Sequence, residues 1–188
     1  MGYALAEAAV KRGHTCTLVS GPVGLTPPSG VQMVHVTTAD EMFDACVSGF
    51  DRAEAAIMTA AVCDYRPQRR LPHKLRKQKR PRTVTLVPTR DILAYLGTHK
   101  GRRVVMGFAM EDHDERAHAE SKLKCKHCDA IVLNGLANVG AADATVEVLV
   151  AGEGWSAPWT ATKLQVAHRL IRLTERLVAA RQATYRQT

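Results

Sequence analysis

Three carboxylates and four lysines in this chain of 188 residues are spaced so that they could handle a polyphosphate. Asp64 follows the apolar run IMTAAV, Asp91 opens the segment DIL, and Glu111 closes GFAME. Carboxylates so placed can hold a ribose hydroxyl, or a magnesium ion that takes one or two carboxylates plus substrate phosphates. Lys74 and Lys77 follow Asp64 in the chain, while Lys122 and Lys126, four apart, share one face of an expected helix. Such ammonium groups take phosphate oxygens, or the charge that develops in phosphoryl or nucleotidyl transfer. Plainer roles compete at two of these positions. The lysine pair suits a solvated helix face, and Asp91 suits a first-turn carboxylate that stabilises its helix.

The net charge of +8 belongs to one segment. Residues 66–82 hold nine Lys or Arg and no acid, which leaves 17 basic against 18 acidic residues elsewhere. This is a nearly neutral domain with one intensely basic loop, expected to be flexible. Its partner would be a phosphate-rich small molecule or a nucleic acid, unless the loop is only solvated charge. A single-strand platform interleaves aromatic rings with its cations, and Tyr65 is the one ring nearby, which weighs against nucleic acid.

Other motifs carry less. Cys125 and Cys128 form a CxxC with His118 as the nearby extra ligand, whereas structural zinc takes four. That motif closes a helix instead of following a strand, which disfavours redox chemistry. Trp155 and Trp159 read as hairpin packing. No GxGxxG or Walker A sequence occurs. No apolar run reaches the roughly 20 residues of a membrane span, no signal peptide opens the chain, and the five cysteines are odd in number and scattered. A cytoplasmic protein with no membrane partner is expected.

The elements that must position these groups alternate between strand and helix. A first helix with Ala4, Leu5, Ala8 and Ala9 inward is capped at Gly13. Strands follow at TCTLVS and VQMVHV, then a helix opened by a capping box of Thr38 and Glu41. AEAAIMTAAV is too continuously apolar for a sheet with one wet face, and so predicts a parallel strand covered on both sides. TVTLV predicts the next strand, Thr89 the cap of a helix with Ile92, Leu93 and Leu96, and RRVVMGFAM another strand. A helix over about 114–126, the strand AIVLN, a hairpin turning at 152–154 and a closing helix from Lys163 to about Arg181 complete the chain.

The expected fold is one α/β domain over 1–188: three layers, a mostly parallel Rossmann-like sheet, a C-terminal β-hairpin and a closing helix. Ligands in such sheets sit outside the carboxyl ends of the strands. That rule selects Ser20 to Val23, Ala60 to Asp64, Thr89 to Asp91, Phe108 to Glu111, and Asn134. A helix at residue 1 normally follows a strand and a glycine-rich turn that binds phosphate. Only Met1-Gly2 of such a turn remains, so the chain reads as lacking its first strand.

Five stretches, MGYALAEAAVKRGHTCTLVSGPV, AAVCDYRP with KLRK downstream, RDIL, GFAMED and KLKCKHCDAIVLN, together resemble bacterial phosphopantothenoylcysteine synthetase. The resemblance spans nearly the whole chain in order. It implies joining of 4′-phosphopantothenate and L-cysteine with CTP through an acyl cytidylate, releasing CMP and pyrophosphate, with Mg2+ as cofactor. It implies FMN only where a decarboxylase domain is fused upstream, and it implies a homodimer. By the same resemblance Ala60 and Asp64 line the nucleotide pocket, with Asp64 on ribose or metal. Lys74 is the catalytic lysine, on the triphosphate, in a loop that closes over the site. Asp91, Ile92 and Leu93 border the nucleotide, Phe108 packs near the base, and Lys122 and Lys126 hold base and phosphates. Arg90 stands where the family pattern has a proline and is counted with the nucleotide-binding residues. The family's glycine-rich turn and Ser-Asn-x-Ser-Ser-Gly segment do not occur in the sequence, which implies weakened activity for the chain as it stands. The alternatives are a nucleic-acid-binding protein using the basic loop and an NAD(P)-dependent oxidoreductase on the same fold.

Overall fold

The computed structural model describes residues 1–69, 71–77, 79–110, 113–135, 138 and 140–185. Small and apolar residues at helical spacing build α1 (Gly2–Lys11), with Leu5, Ala6, Ala8 and Ala9 buried. Gly13, at φ +86°, turns the chain just past the Arg12 C-cap in a conformation that favours glycine. β1 (Thr17–Ser20) and β2 (Gln32–His35) pair in parallel. The expected capping box opens α2 (Ala39–Phe50): Glu41 N–H donates to Thr38 Oγ1 at 3.1 Å, and Thr38 N–H to Glu41 Oε2 at 3.2 Å.

β3 (Ala55–Met58), β6 (Val104–Ala109) and β7 (Ala130–Asn134) form the parallel half of the main sheet. β8 (Asp143–Val150) runs antiparallel to β7 and carries both β9 (Gly154–Trp155) and β10 (Trp159–Thr162) on its other side, giving the order β10-β8-β7-β6-β3 with β9 off that path. α1 and α5 (Lys163–Tyr185) cover one face, around Met106, Val132, Val146, Val166 and Leu170. α2, α3 (Ile92–Thr98) and α4 (Glu115–Cys125) cover the other, around Phe43, Leu96, Val105, Ala119 and Ile131. The three layers, the hairpin and the closing helix are as expected.

Four expectations are corrected. AEAAIMTAAV is a strand only over Ala55–Met58 and is half-buried, because β3 is the edge of the main sheet and hydrogen-bonds β6 alone among the described strands. TVTLV contributes β5 (Leu86–Pro88), which pairs antiparallel with β4 (Tyr65–Pro67) in a ribbon outside the main sheet. The α3 cap is Asp91, not Thr89: Asp91 Oδ1 accepts from Ala94 N–H at 2.8 Å, while the Thr89 hydroxyl is spent on the Cys63 carbonyl at 2.6 Å. The last helix continues to Tyr185. β1 and β2 form a sheet of their own, hydrogen-bonded to no other described strand.

Candidate functional site

Asp91 occupies the N-cap of α3, which turns Oδ1 back to the Ala94 N–H and leaves Oδ2 for a partner. Lys126, the C-cap of α4, sends Nζ to Asp91 Oδ2 at 2.5 Å. One turn earlier, Lys122 Nζ donates to the Phe108 carbonyl at 2.8 Å, near the end of β6. Spacing of four on α4 thus brings both ammonium groups to the edge, one on a side-chain acceptor and one on a backbone acceptor. α4 can approach closely because residue 97 is glycine: a Cβ there would fall 1.8 Å from the Lys126 carbonyl oxygen.

Asp64 joins the cluster through its backbone. Thr89 N–H donates to the Asp64 carbonyl at 2.8 Å, and the Thr89 hydroxyl holds the preceding carbonyl, so the ends of the basic segment are stitched together beside α3. The Asp64 side chain makes no hydrogen bond or ion pair with a described residue, yet its charge is close enough to help raise the Lys126 pKa. The hydrogen bond to Asp91 is the main cause of that rise, ahead of opposing burial and the Asp91 charge. Burial is the largest single influence on Asp91 and pushes its pKa up, but the Lys126 and Ala94 hydrogen bonds with the Lys126 and Lys122 charges outweigh it and hold the carboxyl below its ordinary value. The Asp91–Lys126 pair stays ionised across neutral pH.

The remaining candidates fall into four groups. Ala60 is exposed just beyond β3; Ile92 is buried, and Leu93 and Phe108 are half-buried beneath the edge. Lys74 and Lys77 are exposed and make no hydrogen bond or ion pair with a described residue. Arg90 turns to α2: its guanidinium lies 4.0 Å over the Phe43 ring and 2.8 Å from Asp44 Oδ1. Glu111 lies outside the described residues. Sequence reasoning missed the α1 N-terminus as a neighbour of β3: a Cβ on Gly2 would fall 2.8 Å from Thr59 Oγ1, and Tyr3 Oη lies 3.1 Å from Ser20 Oγ. It also missed Thr89 as the tie to Asp64, which local spacing cannot reveal because the partners are 25 residues apart.

Cys128 is buried, with its thiol pushed up to about 12 chiefly by that burial, and no cluster of three metal-ligating side chains occurs among the described residues. A Cys128 thiol raised in this way does not suit a thiolate-based redox role. Two hollows, of about 380 and 600 Å³, lie away from the edge cluster, lined by Arg102, Arg103 and Gln182 and by Lys100, Asp129 and Arg181 respectively. No helix among the described residues is long and apolar enough to cross a membrane.

Residues 1–177 match the family model described as DNA/pantothenate metabolism flavoprotein C-terminal domain. The Coenzyme A biosynthesis bifunctional protein CoaBC of Bacillus subtilis (strain 168) is 42% identical over 142 residues, 75% of this chain and 35% of that protein. A protein named Cysteine/Cysteine sulfinic acid decarboxylase, from an unknown prokaryotic organism, is 43% identical over 143 residues, 75% of this chain and 40% of its own length. The chain thus spans well under half of the curated relatives it matches. Among solved structures, the crystal structure of the C-terminal domain of Coenzyme A biosynthesis bifunctional protein CoaBC superposes with a TM-score of 0.77 at 32% identity, covering 95% of this chain and 82% of that one.

Proposed function

The chain belongs to the DNA/pantothenate metabolism flavoprotein C-terminal domain family, and from that premise we propose that it is a phosphopantothenate–cysteine ligase domain of coenzyme A synthesis. The observation that carries the reading is the ionised, part-exposed pairing of Lys126 with Asp91, beside Lys122 and Asp64 at the carboxyl edge. In the reaction, a carboxylate oxygen of 4′-phosphopantothenate attacks the α-phosphorus of CTP, the bond to the bridging oxygen breaks, and pyrophosphate leaves. The cysteine amine then attacks the resulting acyl cytidylate, loses a proton, and displaces CMP. Little of this needs covalent help from the protein; positioning and charge neutralisation supply the rate.

Lys126 and Lys122 hold the nucleotide and its phosphates, exchanging their present acceptors for phosphate oxygens. Ala60, Asp91, Ile92, Leu93 and Phe108 border the nucleoside, and Arg90 fixes the turn that carries Asp91. Lys74 is the catalytic lysine: exposed and uncommitted, it arrives over the edge on the basic segment, which acts as a lid. The donor set suits magnesium carried by the nucleotide, since that ion needs one or two carboxylates beside phosphates and the Asp64 carboxylate has no hydrogen bond or ion pair with a described residue. Magnesium supplies neutralisation of triphosphate charge there. Exposed Tyr65, Leu71, Leu75, Val84 and Leu86 on and around the ribbon support a homodimer, and the five free cysteines suit a cytoplasmic home.

Pyrophosphate release is the direct test, run with CTP, 4′-phosphopantothenate and cysteine beside the Bacillus subtilis relative as positive control. Sustained release that requires all three substrates is expected, with no more than one equivalent per site when cysteine is left out. Its absence from this chain while the relative is active overturns the proposal.

A further inference from the structure

The basic segment leaves the body of the protein along β4 and returns along β5, and both feet of this ribbon reach one carboxylate. Arg66, in β4, places Nε 3.2 Å from Asp40 Oδ2. Arg90, two residues past β5, places Nε 3.4 Å from Asp40 Oδ1 and donates from Nη2 to the Asp40 carbonyl at 3.1 Å. Asp44, one turn along α2, holds Arg90 Nη1 at 2.8 Å, and Phe43 lies under the guanidinium.

A first-turn carboxylate needs no partner to stabilise a helix, and α2 already has a complete capping box. Asp40 does something more specific, since its two oxygens meet guanidinium groups from the two legs of one ribbon. Arg66 is therefore unlike Lys74 and Lys77, although all three belong to the same run of positive charge. It is a foot, and they are the reach.

We propose that Asp40 is a positioning residue for the candidate site: it anchors the ribbon to α2 and so sets where Lys74 returns over the carboxyl edge. The proposal rests on the ligase reading for its consequence, not for its geometry. All three side chains are about half exposed, and exposed ion pairs are weak. An anchor of this strength limits the excursions of the ribbon without preventing exchange between open and closed positions.

Trypsin reads ribbon mobility directly, because residues 66–82 offer seven cleavage positions once the proline-blocked Arg66 and Arg80 are set aside. Asp40→Asn should raise the cleavage rate of this segment roughly three- to tenfold, the scale of losing two exposed ion pairs. KM for CTP should rise by a similar factor while kcat at saturation changes little, because bound nucleotide restores the closed position. Asp40→Glu should recover most of the protection, and Asp40→Arg combined with Arg66→Asp should recover part of it. An unchanged cleavage rate in Asp40→Asn overturns the proposal, as does a faster cleavage that merely tracks global unfolding in urea. If protection depends on Asp40 while no ligase activity exists, the anchor stands and the ligase reading falls.

Discussion

Two clusters of the same composition sit on this α/β domain, each an aspartate among cations, and they differ chiefly in burial. Asp91 meets Lys126 at 2.5 Å and feels Lys122; its side chain is 46% exposed. Asp129 meets Lys100 at 2.7 Å, Arg181 and the Val105 N–H at 2.8 Å; its side chain is 7% exposed. Desolvating charges is costly, so the second cluster persists only because both carboxylate oxygens of Asp129 have donors. A phosphate could displace Asp91 from Lys126 with water ready to solvate the freed carboxylate. Nothing comparable is available to Asp129. The pair that can exchange partners is fit for ligand binding, and the pair that cannot is fit for holding α5 and the 99–103 turn to the start of β7.

The largest expected effect tests the buried cluster. Asp129→Ala takes the anionic partner from Lys100 and Arg181 and leaves the Val105 N–H without its acceptor. It should cost about 3 kcal/mol, read as a lower urea midpoint at unchanged slope. Ligase activity per folded molecule should remain that of the parent. A variant as stable as the parent would erase the contrast between the clusters.

The carboxyl edge should answer in the opposite way. Lys74→Ala should lower kcat on the order of 100-fold, as loss of one transition-state donor does, with the urea midpoint unmoved because Lys74 is exposed and unpaired. Lys126→Met should lower kcat/KM roughly 10-fold and cost under about 1 kcal/mol of stability, since its ion pair is largely exposed. Full rate in Lys74→Ala would remove that lysine from the chemistry.

How much of this could be read in the residues follows the same division. Local patterns revealed local structure: Thr38 with Glu41 gave a capping box, AIVLN gave β7 to the residue, and Lys122 with Lys126 shared a face. Residue types also marked the edge, because an apolar run must end where a parallel strand meets solvent. What spacing could not reveal was pairing over distance. TVTLV looks like any sheet strand, and only tertiary contact decides that Leu86–Pro88 joins Tyr65–Pro67 instead of the main sheet. Asp129 stands beside the CxxC and drew no notice, since burial of a charge is decided by Arg181, more than fifty residues later. Thr89 is the expected cap of α3 and Asp91 only a first-turn carboxylate; the cap is Asp91, and the Thr89 hydroxyl satisfies a distant carbonyl that local spacing does not show.

The smallest effect is the most discriminating, because it uses pH and salt to separate the clusters without a ligand. Asp91 has its pKa lowered in the folded chain, so its contribution is complete above the unfolded value and is lost as pH falls through the folded one. Lys126 has its pKa raised, chiefly by the hydrogen bond to Asp91, so its contribution is complete below the unfolded value and is lost as pH rises through the folded one. Asp91→Asn keeps an oxygen for the Ala94 N–H and removes only the charge. The stability difference between parent and variant should then form a plateau from about pH 5 to 9, shrinking on either side, and stay under about 1 kcal/mol. In about 1 M salt the plateau should collapse, since screening there acts within roughly 3 Å of an exposed pair. The Asp129→Ala penalty should survive the same salt far better, because a buried ion pair is screened much less than an exposed one. A plateau that resists salt would mean that the edge pair is buried in effect, and that its lysine is not free to change partners.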